Sequence, residues 1–321
     1  MSKKRLRAYV FICITISFWG ISFFWTNRLL SSGIPVFFLI FTRISLAALI
    51  LFVAGRIFGL IEKLKKKKDI LWFLALALME PFFYFVGESY GVKLTASPSL
   101  TSVIVSSIPI FGLIAGVTFY KEKVNVGNII GIFLTVPGLL LVVFGKWGLQ
   151  LIETEGAGGT NMPLGIAFLF MSVLAAVGHT VIIKRMTMHY NAFTVTFYQH
   201  ALGALYFILP MLLYDVPKMD VPAVLTDWNF WYPVLMLSVF CSSIAFFLFT
   251  LSVKELGITR TNTFTAIIPI VTAGTGVLLG LETIEWIQAA GIIVVVGGVI
   301  LSQWRSGTQS RSGVQSRSKR N

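Results

Sequence analysis

Charged side chains are scarce in this sequence. Asp, Glu, Lys and Arg make up 12% of its 321 residues, against roughly 25% in a soluble domain. Hydrophobic residues make up 56%, and the mean hydropathy is +0.84. This composition excludes an ordinary soluble domain and indicates that a lipid bilayer is the solvent.

Motifs for chemistry are also lacking. The two cysteines, Cys13 and Cys241, both fall within apolar runs, so free thiols are expected and no disulfide. The sequence holds no phosphate-binding Gly-rich loop of the Walker A type and no Cys/His spacing typical of a metal site. It also holds no supported Ser/His/Asp arrangement. We therefore expect no cofactor, no bound metal, no ATP hydrolysis and no enzymatic activity.

Apolar runs of about 20 residues, the length that crosses hydrocarbon, recur along the whole chain. The first follows four basic residues but is too long for the apolar core of a signal peptide. We number the predicted helices 1 to 10, at residues 8–27, 35–55, 70–90, 98–119, 126–145, 163–183, 192–213, 229–251, 261–280 and 286–304. The predicted fold class is an all-α integral membrane protein with ten transmembrane helices.

The distribution of basic residues predicts the topology. The net charge is +13, and 21 of the 26 Lys and Arg residues fall on one side if the N-terminus is cytoplasmic. The positive-inside rule therefore predicts that both termini are cytoplasmic. The expected location is a bacterial inner membrane. Residues 1–7 form a basic cytoplasmic N-terminus. The basic segments 63–68 ("KLKKKK") and 305–321 are expected to lie near anionic lipid, the latter as a disordered tail. No nucleic-acid partner is expected.

The second half of the chain repeats the first. The sequence Ile108-Pro109-Ile110 matches Ile268-Pro269-Ile270 at an offset of 160, and the same offset aligns Glu122 with Glu282. Helices 3–5 thus repeat as helices 8–10. Because each repeat holds five helices, an odd number, the second copy is predicted to insert inverted relative to the first.

This repeat sets the predicted domain boundaries and indicates a class of function. The first repeat covers 8–145, an outer linker covers 146–162, and the second repeat covers 163–304. Inverted repeats are common in secondary transporters, where the substrate site lies near the midplane between the halves.

Several motifs carry a resemblance to a known family. These are "FWGISFFWTNRLL" in helix 1, "FTRISLAAL" in helix 2 and "IPIFGLIAGVTFYKEKVNVGNIIGIFLTVPGLLLV" in helices 4–5, whose Pro/Glu/Gly spacing recurs in helices 9–10. Over residues 8–304 the chain resembles two EamA domains of the drug/metabolite transporter superfamily.

The resemblance implies a basket-like bundle in which helices 1–4 and 6–9 surround a cavity braced by helices 5 and 10. Family members include exporters of amino acids and other metabolites, and carriers of sugar phosphates and nucleotide sugars. Independently of the resemblance, four aligned residues are interpreted from their positions as structural residues at helix junctions: Pro109, Pro269, Glu122 and Glu282.

Helix 3 carries two carboxylates that the resemblance does not explain. Glu80 follows Asp69 by eleven residues, which places it about 16 Å deep, and Glu88 lies two turns further out. Arg43 in helix 2, eight residues after Pro35, lies at a depth between them. Burial of a lone charge in hydrocarbon is costly, so Glu80 must be protonated, paired or in a wet cavity.

Two interpretations of these residues stay open. Arg43 pairs permanently with Glu80 or Glu88 and ties helices 2 and 3 together, or at least one of the three lines the translocation cavity. In the second case Glu80 exchanges a proton, and Arg43 pairs with a glutamate or binds a substrate carboxylate. Pro81 is expected to kink helix 3.

Other polar and aromatic side chains are further candidates. Gln199 and His200 in helix 7 align approximately with Arg43, and His200 either relays a proton or bonds packed helices together. His179, near the cytoplasmic end of helix 6, is a weaker candidate. Trp19 and Tyr84 either line a substrate pocket or face lipid.

The predicted function is a secondary active transporter that exports a small metabolite, such as an amino acid, by alternating access with proton coupling. Its partners are a small-molecule substrate and membrane lipid, and it acts as a monomer or homodimer. The alternatives are an intramembrane enzyme acting on a lipid, and a sensor or scaffold that transports nothing.

Overall fold

The computed structural model describes residues 3–95, 104–105, 107–147, 161–278 and 285–303. Every regular element within these ranges is helical, which confirms the all-α class. The helices that correspond to the predicted ten are α1 (Lys3–Ser31), α2 (Val36–Ile57), α3 (Asp69–Ala77, Leu78–Phe83 and Tyr84–Thr95), α4 (Ile108–Tyr120), α5 (Val126–Trp147), α6 (Met162–Met186), α7 (Ala192–Pro210, Met211–Asp215 and Val216–Lys218), α8 (Trp228–Met236, Leu237–Ile244 and Ala245–Leu256), α9 (Ile258–Thr263, Phe264–Ile267 and Ile268–Leu278) and α10 (Trp286–Gln303).

Within the described ranges, eight helices are long and apolar enough to cross a membrane, and the apolar helices in α4 and α5 are shorter. A short helix, Val221–Thr226, separates α7 from α8. Four predicted features lie outside the described residues: the start of helix 4 at residue 98, most of the linker 146–162, Glu282, and the tail from 304 onward.

The packing of the helices follows the repeat. Helix α3 of the first half packs on α6 of the second, and α8 of the second half packs on α1 of the first. These two contacts are equivalent when the two halves are superimposed in sequence. Three further contacts join equivalent helices of the two halves: α2 packs on α7, α4 on α9, and α5 on α10. The two halves are therefore interlocked rather than set side by side.

Helices α5 and α10 begin in the same way and pack closely. The backbone N–H of Asn125 donates to Asn128 Oδ1 at 2.9 Å, and that of Glu285 donates to Gln288 Oε1 at 2.9 Å, again 160 residues apart. A Cβ on Gly131 would lie 2.5 Å from the Gly298 carbonyl oxygen. Only the missing side chain allows the two backbones to approach so closely.

Of the other residues predicted at helix junctions, Glu122 and Pro109 lie at helix ends, whereas Pro269 lies inside α9, near the start of its third segment. Glu122, after α4, accepts hydrogen bonds from the backbone N–H groups of Ile258 (2.7 Å) and Thr259 (3.0 Å) at the start of α9. Pro109 and Pro269 are each the second residue of a helical segment. The missing N–H of proline costs nothing in a first turn.

Helix α3 is broken at its centre. Glu80 has φ −146° and ψ 123°, which are extended rather than helical angles. Pro81 follows and has no N–H to donate to the preceding turn. Two further irregular π-helical segments, Met211–Asp215 in α7 and Leu237–Ile244 in α8, interrupt neighbouring helices. Such irregular turns are frequent at functional sites.

Candidate functional site

The break in α3 places the Glu80 side chain among residues from α6 and α7. Glu80 is 7% exposed and His179 is 1% exposed. Nδ1 of His179 lies 2.8 Å from Oε2 of Glu80, which is ion-pair distance when the imidazole is protonated. The two side chains therefore form a buried contact between the first and second halves of the chain.

The backbone at the break in α3 also accepts a hydrogen bond from α7. Gln199 Nε2 donates a hydrogen bond of 3.1 Å to the Glu80 carbonyl oxygen. His200 is the next residue of α7. Its Nδ1 lies 2.9 Å from the carbonyl oxygen of Thr196, one helix turn earlier. Since a carbonyl oxygen only accepts, Nδ1 of His200 carries the hydrogen and Nε2 is an acceptor when the ring is neutral.

Four buried polar atoms of His179, Gln199 and His200 have no hydrogen-bond partner among the described residues. They are both ring nitrogens of His179, Gln199 Oε1 and His200 Nε2. Nδ1 of His179 thus lies at ion-pair distance from Glu80 without the geometry of a hydrogen bond. Buried polar side-chain atoms in proteins are nearly always hydrogen-bonded to protein or to water. These atoms leave hydrogen-bonding capacity unused within the described residues.

Aromatic rings of α8 form one wall of this cluster. The His179 ring stacks on Phe249 with centroids 6.0 Å apart and planes 4° from parallel, and His200 meets Phe246 edge-on at 5.0 Å. The Trp19 ring contacts both phenyl rings, with centroid distances of 5.2 Å to Phe246 and 5.0 Å to Phe249. Its indole N–H donates to the Cys241 carbonyl oxygen at 3.1 Å. Trp19 therefore faces the bundle interior and not the lipid.

Arg43 lies in the same interior region but forms no ion pair with either glutamate among the described residues. Its Nε donates a hydrogen bond of 2.8 Å to Ser242 Oγ, in the irregular segment of α8. Its guanidinium carbon lies 4.8 Å from the centroid of the Phe85 ring. Arg43 is 6% exposed, so it is a buried cation held by a hydroxyl group and a ring.

Tyr84 and Glu88 lie on α3 beyond the break. The Tyr84 hydroxyl is 3.5 Å from Glu88 Oε1, the outer limit of a hydrogen bond. Both side chains are only partly buried. Both also lie within electrostatic range of Arg43.

Seven residues were predicted for the substrate or proton pathway, and the structure places them in several separate contacts. Gln199 contacts Glu80, and Tyr84 contacts Glu88. Trp19 and His200 each contact the Phe246 ring, and Arg43 binds Ser242.

One further residue contacts Glu80. This is His179, a weaker candidate from the sequence, which lies nearer the C-terminal end of its helix. Ser242 and the rings of Phe246 and Phe249 were not identified, because a serine or phenylalanine in an apolar run carries no signal of its own.

Comparisons with known proteins agree with this architecture. A model described as the EamA-like transporter family matches residues 6–144 and 163–304. The chain is 26% identical over 307 residues to "Uncharacterized transporter YetK" of Bacillus subtilis, which covers 94% of this chain and 88% of that protein. It is 25% identical over 283 residues to "WAT1-related protein At4g08300" of Arabidopsis thaliana, covering 77% and 72% of the two chains.

The fold also matches a solved crystal structure. The TM-score is 0.77, and the match covers 93% of this chain and 97% of the other. The sequences of the two are 16% identical. At that identity the likeness supports the fold and carries nothing about the substrate.

Proposed function

Because the chain belongs to the EamA-like transporter family, we propose that it is a secondary active transporter that exports a small metabolite by alternating access and exchanges it for protons. It would do so in a bacterial inner membrane, with both termini in the cytoplasm. No chemical reaction on the substrate is needed for this function.

The contact between Glu80 and His179 carries the proposal. A protonated Glu80 is neutral and can remain in the interior without a partner, whereas an ionised Glu80 needs the imidazolium of His179. Proton arrival and departure at this pair would therefore change the charge of the site, and with it the affinity for a charged substrate. The groups within electrostatic or hydrogen-bonding range of the pair are Arg43 from α2, Tyr84 and Glu88 from α3, and Gln199 and His200 from α7.

Access to this cluster must alternate. Glu80, His179, Gln199 and His200 are each at most 7% exposed, so the cluster is closed to solvent in this conformation. The extended residue at Glu80 interrupts the helical hydrogen bonding of α3, and residues at such breaks absorb the backbone rotations of a hinge. Pivoting of the two parts of α3 about this point would open the cluster to one side.

The charge of the interior favours a cargo with one negative group. Arg43 is the only lysine or arginine that is buried in the described part of the chain. A phosphate ester with two negative charges would require several such cations. An amino acid or a related metabolite is therefore the preferred cargo class.

The function is tested by comparing intracellular and extracellular metabolites in cells that express the wild type, cells that express Glu80→Gln at the same membrane level, and cells with empty vector. We expect at least one compound to leave the wild-type cells faster than the vector cells, and to be retained by Glu80→Gln. Equal metabolite profiles in wild-type and vector cells would contradict the export function. Equal export by both proteins would remove Glu80 from the mechanism.

A further inference from the structure

The loop between α2 and α3 is held in place by the other half of the chain. Residues 58–68 form no helix or strand and include five lysines, and a run of like charges repels itself rather than packing. Residues 60–69, which we call the strap, nevertheless lie against the turn between α6 and α7 and the first residues of α7. The strap belongs to the first repeat, and the turn that holds it belongs to the second.

Tyr190 is the first attachment point of the strap. Its hydroxyl donates a hydrogen bond of 2.5 Å to Asp69 Oδ2 and accepts one of 2.7 Å from the backbone N–H of Lys65. Its ring meets the Phe73 ring edge-on, with centroids 5.3 Å apart, and the residue is 2% exposed. One buried phenol of the second half thus holds the strap at two places.

The second attachment point is the start of α7. Thr194 Oγ1 accepts a hydrogen bond of 2.9 Å from the backbone N–H of Glu62 and donates one of 3.2 Å to the carbonyl oxygen of Leu60. Asn191 Nδ2 donates to the same carbonyl oxygen at 2.9 Å, and its backbone N–H donates to Glu62 Oε1 at 3.2 Å. These bonds break if the two halves separate at this end of the bundle, which the proposed topology places in the cytoplasm.

Apolar side chains lie between the strap and the Glu80 cluster. From strap to cluster, the residues on α3 are Asp69, Phe73, Leu76 and Glu80, those on and just after α6 are Tyr190, Met186, Ile183 and His179, and those on α7 and its cap are Asn191, Val195 and Gln199. Spacings of three and four place such residues on one face of a helix. The attachment points, the apolar side chains and the cluster therefore follow one another along the same faces.

The apolar side chains close this route in the structure. We call them the plug: Phe73, Leu76, Ile183, Met186 and Val195. Each is at most 2% exposed, and all five belong to one hydrophobic core cluster. Two of them come from the first half and three from the second, so the plug opens only when the halves part.

We propose that the strap is a latch on the cytoplasmic route to Glu80. Its bonds to Tyr190 and Thr194 hold the plug closed, and their release lets the strap and the first part of α3 swing away from α6 and α7. The break at Glu80 provides the hinge for this movement. The inference rests on the proposed transport function and adds the residues that control its access step.

The corresponding loop of the second half, between α7 and α8, is held differently. It contains the short helix Val221–Thr226, and the Trp231 indole N–H donates to the Leu225 carbonyl oxygen at 2.8 Å. Both features lie within the second half and persist when the halves separate. At that end the backbone N–H of Phe38 donates across the halves to Asp215 Oδ2 at 2.7 Å, but Asp215 belongs to α7 and not to the loop. The strap is therefore not a simple consequence of the duplication.

The test measures, without any substrate, how accessible the plug is from each side of the membrane. Val195→Cys places a thiol in the plug of the full-length chain, in which Cys13→Ala and Cys241→Ala remove the native thiols. A maleimide that does not cross membranes is added to inside-out or right-side-out vesicles. The labelling rate then reports the fraction of the protein that is open to that side.

Three variants of this parent chain are compared. Tyr190→Phe keeps the ring but removes the hydroxyl that holds Asp69 and Lys65. Thr194→Val keeps the shape of the side chain but removes the hydroxyl that holds residues 60 and 62. The control is Tyr232→Phe, which makes the same change as Tyr190→Phe at the start of α8, at the opposite end of the bundle.

In inside-out vesicles, which expose the cytoplasmic face, we expect Tyr190→Phe and Thr194→Val each to raise the labelling rate at least about fivefold, the value of one net hydrogen bond. Tyr232→Phe should label at the rate of the parent. In right-side-out vesicles the two strap variants should label no faster than the parent, because the shift favours the state that is open to the cytoplasm.

Unchanged labelling in both strap variants would overturn the proposal. An equal rise in both kinds of vesicle would also overturn it, since that result means general loosening of the fold, and a rise confined to right-side-out vesicles would refute the assignment to the cytoplasmic route. The labelling requires no transported compound, so the export comparison judges the transport function separately. Export by the wild type with unchanged labelling would refute the latch and leave the transporter intact.

Discussion

Glu80 and His179 come from different halves of the duplicated chain, and their side chains lie 2.8 Å apart in the interior. Glu80 belongs to α3 of the first repeat and His179 to α6 of the second. In a transporter built from two repeats, the halves move relative to each other around the site. In the proposed mechanism, a contact across that boundary would change when the halves move.

The pair should stabilise the protein. His179→Phe keeps a ring that stacks on Phe249 but removes the partner of Glu80. We expect a loss of about 3–5 kcal/mol, the usual effect of removing one member of a buried pair. Thermal unfolding in detergent measures this loss.

The double variant Glu80→Gln/His179→Phe provides the control for this prediction. If the two side chains interact, it should be destabilised by less than the sum of the single variants, with a coupling of about 0.5–3 kcal/mol. Additive effects would mean that the contact contributes nothing and that His179 acts only through its packing.

The break in α3 fits against a glycine of α7. A Cβ on Gly203 would lie 2.7 Å from Cγ and 2.8 Å from Cδ of Pro81. Gly203→Ala should therefore displace Pro81 and destabilise the fold by about 1–3 kcal/mol, as overpacking does. The matched control is Gly274→Ala in α9, where nothing lies within 4 Å of the added atom.

Gly274→Ala should leave the unfolding temperature unchanged or raise it, since alanine favours a helix over glycine. Equal effects of the two substitutions would show that contact with Pro81 is not what requires a glycine at 203. Transport should decrease in Gly203→Ala more than its protein level does, because the same contact positions Glu80.

The carboxylate of Glu122 should anchor α9. It accepts two backbone N–H groups that otherwise lack a partner at the helix start. Glu122→Ala should cost about 0.5–2 kcal/mol, the range for loss of a helix cap. Glu255→Ala is the control, because Glu255 is exposed at the end of α8. An unaltered unfolding temperature in Glu122→Ala would refute the anchoring role.

Periodic and compositional features made the fold predictable from the sequence. Apolar length located the helices, and the spacing of Pro109 and Glu122 against Pro269 and Glu282 revealed the duplication. Pro81 correctly predicted an irregular α3, since proline removes a hydrogen bond wherever it stands in a helix.

The contacts within the site were less predictable. Distance along a helix gives depth but neither the rotation nor the tilt of the neighbouring helix, so His179 was ranked below His200 although it is the residue that meets Glu80. The same limitation made an ion pair of Arg43 with a glutamate an open alternative. In the structure Arg43 is bound to Ser242, one of several small hydroxyl residues that the sequence does not distinguish.

The central claim is that Glu80 carries the coupled proton, and transport in reconstituted vesicles tests it most directly. The vesicles contain the wild type, Glu80→Gln or the exposed control Glu255→Gln, and the radiolabelled probe is the compound identified by the export comparison. We predict that a pH gradient drives net transport by the wild type and the control. Glu80→Gln should show no response to the gradient but should still exchange labelled for unlabelled compound. If Glu80→Gln responds to the gradient as the wild type does, Glu80 is not the proton carrier.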